Sequence, residues 1–277
     1  MKVLLLLLGL LAITGCARNV VVQEKAKSGS ARPLDVVGRE GKGTIYMQSI
    51  VTGCVIQRVF HIQVANAVGT AFAVDVDGRQ YLITAKHLAS QIPYPGKIGI
   101  YHEGVWKHID VSLTGHADGD DVSVLACNLR LAPDLPLRVT TKDMVYGQEV
   151  FFLGFPLGLI SNVGPINRDF PLPIIKRATL ASQIEINGKK VELLDGINNP
   201  GFSGGPVVCV PPGYALNDFQ VIGVISGYQI QFEKTVLNGK ETEILAPMNS
   251  GLIICTPIWT AVELIKRNSN GFPLRKP

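Results

Sequence analysis

From residue 44 onward the chain alternates short runs rich in Val, Ile, Phe and Tyr with breaks of Gly, Pro, Asn and Asp. The runs include "TIYMQSIVTG", "HIQVANAVGTAFAVDVDGRQYLITA", "VSVLAC", "EVFFLGFP", "KRATLASQIEINGKKVELL", "GGPVVCV" and "FQVIGVISGYQI". Regular short strands divided by turn signals predict an all-β sandwich or barrel. Asp77-Gly78 and Asn187-Gly188 stand between strand-like runs and are the favoured pairs for a hairpin turn that needs positive φ. The one convincing helical stretch is "TPIWTAVELIKRN", where Ile258, Ala261, Val262 and Ile265 recur at helical spacing, Pro257 suits the first turn and Thr256 can cap it. Residues 128–146 carry prolines and little periodicity, as a connection between two halves would.

A chain of 277 residues that is 47% apolar can bury a large core. Its net charge of +4 is small, and apart from the tail "KRNSNGFPLRKP" the cations are scattered, so no nucleic-acid surface is expected. Beyond residue 16 the cysteines are Cys54, Cys127, Cys209 and Cys255, widely spaced, without a CxxC pattern and set among apolar neighbours. That setting predicts buried free thiols and no metal site.

The segment "NPGFSGGPVVC" places Ser203 among glycines ahead of an apolar run. "GFSGG" satisfies the strand-to-helix elbow of α/β-hydrolases, whose order is Ser, acid, His; here all five histidines precede Ser203. The order acid, His, Ser, through Asp75 or Asp77, belongs to a fold of alternating helices that this sequence lacks. What remains is His, Asp, Ser.

In that order "GTAFAVDVDGRQYLITAKHLAS", "DDVSVLAC", "VFFLGFPLGL", "GFSGGPVVC" and "VIGVISG" together resemble the trypsin-like serine peptidases, in particular the bacterial Deg/HtrA branch, over residues 44–268. The resemblance implies an all-β chymotrypsin-like fold of two six-stranded antiparallel barrels, at about 44–135 and 145–255, with a C-terminal helix at about 257–268 and the active site in the cleft between barrels. It implies His87 in "LITAKHL" as general base, Asp121 in "DDVSVL" as the orienting acid and Ser203 as nucleophile. Asp120 is the alternative acid if the strand register slips by one. Gly201 and Ser203 would aim backbone N–H groups at the oxyanion, Ile197 would floor the primary specificity pocket with Asp195 the nearest carboxylate, and Ser226, Gly227 and Tyr228 would pair with the substrate backbone. No cofactor is implied.

The chain departs from the family pattern at Lys86, Leu88, Phe202 and Tyr228. Phe202 stands where zymogen-activated relatives carry an aspartate that captures a newly cut amino terminus. The expectation is therefore an oxyanion loop that orders without such a cut. Cys209 matches a half-cystine of secreted relatives, but the partner position near Val150 is not cysteine, in keeping with a free thiol. Only a short basic tail, 269–277, follows the helix, so chaperone-protease behaviour of the HtrA kind is not expected.

At the other end, Lys2 precedes an apolar run over residues 3–13 that is too short to span a bilayer comfortably, the layout of a secretory signal. Ile13-Thr14-Gly15-Cys16 resembles the lipobox of bacterial lipoproteins, which implies cleavage after residue 15, lipidation of Cys16 and a tether over 16–43. Ala17 lacks the aspartate linked to inner-membrane retention in enteric bacteria. The expectation is a serine endopeptidase acting on protein or peptide substrates, lipid-anchored in the bacterial envelope and at the outer membrane if the host has two. The alternatives are an inactive scaffold kept for binding, or an esterase on the same fold.

Overall fold

The structure, a computed structural model, describes residues 49–93 and 96–274; the expected leader, Cys16 and tether and the last residues of the tail lie outside them. A short helix α1 (Gly53–Ile56) precedes six strands: β1 (Val59–Val64), β2 (Ala67–Val76), β3 (Arg79–Thr84), β4 (Gly96–His102), β5 (Val105–His116) and β6 (Ser123–Cys127). The four-residue helix α2 (Lys86–Ala89) follows β3. The strands hydrogen-bond in the order β3-β2-β1-β4-β5-β6, and β6 returns to β3, closing an antiparallel barrel.

The second half contains β7 (Arg138–Val139), β8 (Glu149–Gly154), β9 (Ile174–Ile186), β10 (Lys189–Asp195), β11 (Pro206–Cys209), β12 (Gln220–Leu237) and β13 (Lys240–Pro257), then α3 (Ile258–Arg267) and β14 (Phe272–Pro273). Here the order is β11-β8-β9-β10-β13-β12, with β12 pairing back to β11. Each sheet thus has six strands and one short addition: β14 pairs with β3, and β7 lies parallel to β12.

Alternation along β2 and β3 explains how two barrels share one core. Ala71, Ala73 and Leu82 pack inside the first barrel with Phe60, Ile62, Ile98 and Leu125. Their neighbours Phe72, Val74, Tyr81 and Ile83 point the other way, into a cluster completed by Leu153, Phe155, Val208 and Val221 of the second half and by Ile258, Ala261 and Ile265 of α3. Successive strand residues face opposite sides, so a strand buried on both reads as a nearly unbroken apolar run. A third cluster, with Phe152, Leu180, Leu194, Phe202 and Ile253, fills the second barrel.

Both predicted turns are present. Asp77 and Gly78 take φ of 49° and 72°, Asn187 and Gly188 51° and 76°. Asn238-Gly239 turns the β12–β13 hairpin in the same way, with φ of 50° and 76°. The expected cap of the helix differs: Pro257 is the residue before α3 and no side chain caps it. The Thr256 hydroxyl is instead 2.7 Å from the Ser226 hydroxyl. All four cysteines of the described residues are free; Cys127, Cys209 and Cys255 are buried as expected, whereas Cys54, on the short helix α1, is only partly covered. Burial pushes the Cys127 thiol up to about 12 and the Cys209 thiol up to about 11.

Candidate active site

His87 lies in α2, one turn past the end of β3. Its Nδ1 is 2.7 Å from Asp121 Oδ2, and its backbone N–H donates to Asp121 Oδ1 at 2.9 Å, so one carboxylate fixes both the ring and the chain that carries it. The hydrogen bond to Asp121 raises the His87 pKa above its ordinary value, with the carboxylate charge adding to this and partial burial opposing it.

Asp121 sits in the loop between β5 and β6, which Ala117 N–H closes by donating to the Val122 carbonyl at 2.9 Å. Lys86 Nζ donates to the Ala117 carbonyl at 2.8 Å. Lys86, the residue before His87, therefore holds the loop that carries Asp121. Asp120 does not reach His87. It lines a cavity of about 360 Å³ against Lys189 and α3, and burial raises its carboxyl pKa.

The Ser203 loop is held on both sides. Ser203 C=O accepts from Thr70 N–H at 3.0 Å, Gly204 N–H donates to Ile225 C=O at 2.8 Å, and Ile225 N–H donates to Gly205 C=O at 2.9 Å. Thr70 Oγ1 donates to Gly201 C=O at 2.7 Å and accepts from Phe155 N–H at 3.1 Å. Thr70 belongs to β2 of the first barrel, so the loop is pinned across the boundary between barrels.

The glycines admit close approach at two positions. Gly201 has φ of 106°, and a Cβ there would lie 2.3 Å from the Phe155 carbonyl oxygen. Gly204 has φ of 82°, and a Cβ there would meet Thr70 O at 2.2 Å and Ala85 N at 2.7 Å. Gly69 lies between the two catalytic candidates: a Cβ there would sit 2.4 Å from Leu88 Cδ1 and 3.4 Å from Ser203 O. Leu88, the residue after His87, thus touches the same stretch of β2 as Ser203. Neither the Gly201 nor the Ser203 N–H is taken up by the hydrogen bonds that hold the loop. No hydrogen bond joins the Ser203 hydroxyl to His87.

Phe202 is fully buried. Its ring meets Phe152 edge-on at 4.8 Å and 66° within the core of the second barrel. An apolar anchor occupies the place after Gly201, and it draws its hold from burial and an edge-to-face ring contact.

Ile197 is 51% exposed, and its carbonyl accepts from Lys176 Nζ, which also donates to Asn199 Oδ1 at 3.2 Å. Asn198 is buried, with Nδ2 donating to Gly227 C=O at 3.1 Å and its own carbonyl accepting from Asn249 Nδ2 at 2.7 Å. This bracket ties the segment before the Ser203 loop to β12 through Gly227 and to β13 through Asn249. Lys176, Asn198 and Asn249 carried no sequence signal, since the bonds depend on strand neighbours far apart in the chain. Asp195 lies elsewhere, in a cleft with Glu149 and Arg177. Among the described residues no three His, Cys, Asp or Glu side chains are grouped so as to hold a metal ion.

No protein-family model matches the chain, and no curated protein matches its sequence. Among solved structures the chain is similar to a serine-to-alanine variant of the HtrA-type protease AlgW with tripeptide, with a TM-score of 0.51 at 16% identity, over 76% of this chain and 60% of that one. The same protease with tripeptide gives a TM-score of 0.50 at 17% identity, covering 77% of this chain and 62% of that one. The chain therefore spans about three fifths of the AlgW chains it resembles. An inactive serine-to-alanine form of Rv3671c from M. tuberculosis H37Rv gives 0.50 at 16% identity, over 87% of this chain and 100% of that one. Two closed barrels, one C-terminal helix and these neighbours make the fold chymotrypsin-like.

Proposed function

We propose that the chain is a serine endopeptidase with His87, Asp121 and Ser203 as its triad. The observation that carries the reading is the His87–Asp121 pair at 2.7 Å, set beside a Ser203 loop bonded to the same β2 segment that contacts Leu88. Ser203 Oγ attacks the scissile carbonyl as His87 Nε2 takes its proton, and the carbonyl oxygen turns negative against the N–H groups of Gly201 and Ser203. His87 then passes the proton to the leaving amine, and water releases the acyl group by the same route. Asp121, bound to Nδ1, keeps Nε2 free to accept.

The Phe202 anchor supports a loop that orders without a newly cut amino terminus. Ile197, with no carboxylate beside it, fits a small or apolar residue before the scissile bond, and Ser226, Gly227 and Tyr228 offer the backbone edge beside it. We further propose that Cys16 is lipidated and fixes the enzyme in the bacterial envelope, on the motif Ile13-Thr14-Gly15-Cys16; mass spectrometry of the mature amino terminus tests this.

A fluorophosphonate probe tests the catalytic reading. Wild type is labelled at pH 8 and Ser203→Ala is not; a wild type that stays unlabelled overturns it in favour of a binding scaffold. Casein against simple esters then separates peptidase from esterase.

A further inference from the structure

The β12–β13 hairpin is far longer than closing a barrel requires. Each strand has 18 residues. Only residues 220–224 of β12 pair with β11, and Gln220 and Val221 also pair with β7. Beyond Ile225 the other edge of β12 has no strand partner among the described residues, as far as Leu237. At 3.2–3.4 Å per residue that free edge runs for roughly 35 Å.

The two strands of the hairpin are not equivalent. Between Tyr228/Ile230 and Ile253/Asn249, and again between Lys234/Val236 and Leu245/Glu241, β13 carries the surplus residues; the one surplus residue of β12 is Ser226, between Ile225 and Gly227, before the stretch from Gln229 to Leu237. Pro247 also removes a donor from β13, whereas β12 contains no proline. Proteins usually blunt an exposed edge with bulges and proline, and over the outer part of the hairpin, beyond Tyr228, only β13 has both. The edge of β12 is left open.

That edge starts at the Ser203 loop, through the mutual bonds of Ile225 with Gly204 and Gly205. It also carries apolar side chains in solvent: Ile230 is 45% and Phe232 65% exposed, two residues apart and so on one face. Leu245 and Pro247 of β13 pair opposite Lys234 and Phe232, extending that face.

We propose that the β12 edge from Gln229 to Leu237 is an extended binding site for the substrate chain on the amino-terminal side of the scissile bond. The substrate would add as an antiparallel strand, its side chains resting at alternate positions on Ile230 and Phe232. This rests on the serine endopeptidase reading and gives it a substrate class: unfolded polypeptide with a long, extended, apolar-alternating segment before the cut. Short tight loops would be poor substrates, because they cannot follow the edge.

The test uses fluorescent peptides that share one cleaved bond and carry four, six, eight or ten residues before it, bound to Ser203→Ala by anisotropy and cleaved by wild type. Two added backbone hydrogen bonds should tighten binding about tenfold, and N-methylation of alternate amides should abolish the gain. Ile230→Ser with Phe232→Ser should weaken only the longer peptides. A variant with 230–248 replaced by a two-residue Asn-Gly turn should lose the length dependence, and its fluorophosphonate labelling rate reports whether it has folded. Labelled wild type with length-independent binding overturns the edge proposal alone. So does a gain that survives hairpin removal, or a hairpin-dependent dimer that leaves peptide binding unaffected. Absent labelling with length-dependent binding overturns the catalytic reading and leaves the edge as a peptide-binding site.

Discussion

His87 can act as a base only when neutral, and its pKa is raised chiefly by the hydrogen bond that its ring donates to Asp121. The rise of kcat/KM with pH should therefore have its midpoint above the ordinary histidine value of about 6.5. Asp121→Asn removes the charge and leaves an amide near Nδ1, so the midpoint should fall below that of wild type while the rate drops by roughly 10⁴. A pH–rate profile on both proteins checks the sign; an Asp121→Asn midpoint at or above the wild-type one would show that Asp121 does not control the base. At Phe202 the argument is packing. Truncation to alanine deletes a fully buried ring and its contact with Phe152, and should cost about 3–5 kcal/mol of stability by thermal or denaturant unfolding. If burial is what orders the oxyanion loop, the folded fraction of Phe202→Ala should also label more slowly with fluorophosphonate, whereas Phe202→Leu should retain most of the rate.

At the scale of elements, the strand β2 unites the site. One face of its central stretch fills the first barrel, the other joins the shared core, and Thr70 reaches over to Gly201 and Phe155. Thr70→Val keeps the shape but removes the hydroxyl, leaving a buried Phe155 N–H without its acceptor; a loss of about 1–3 kcal/mol follows. A larger fractional loss in labelling rate than in stability would mark the hydroxyl as setting the loop's geometry, and a rate equal to wild type would refute that. The sequence made the strands and turns legible because period-2 alternation and Asp-Gly or Asn-Gly pairs act locally: Asp77-Gly78 and Asn187-Gly188 turn as read. It also brought His87, Asp121 and Ser203 forward through their order and local motifs. It could not show that Lys86 closes the Asp121 loop, or that Thr256 serves Ser226 instead of capping α3, because those bonds join elements whose approach only the folded barrels define. The open edge of β12 was illegible for a related reason: whether a strand is paired is a property of its neighbours.

For the whole molecule, the acid response turns on a buried histidine, His61. It is 2% exposed on β1, stacked on Phe155 at 4.9 Å and 23° and close to Tyr101 and Trp106, and neither ring nitrogen has a hydrogen-bond partner among the described residues. Burial lowers its pKa to about 4. The native state thus keeps His61 neutral at pH values where the unfolded chain would protonate it. Unfolding takes up a proton, so the stability that the neutral ring preserves is present above about pH 6.5 and is lost as pH falls from there toward 4. The shift corresponds to at most about 3 kcal/mol across that window, enough to matter against a total of roughly 5–15 kcal/mol for a domain. His61→Phe keeps an aromatic ring on Phe155 and removes the titration, so denaturant midpoints at pH 7 and pH 4.5 should lie closer together than in wild type. Since His61 contacts Phe155, whose carbonyl packs against Gly201, protonating it would strain the support of the Ser203 loop before the barrels open. Fluorophosphonate labelling should accordingly decline with acid more shallowly in His61→Phe, once the His87 titration common to both proteins is divided out; identical acid limbs would show that His61 is silent.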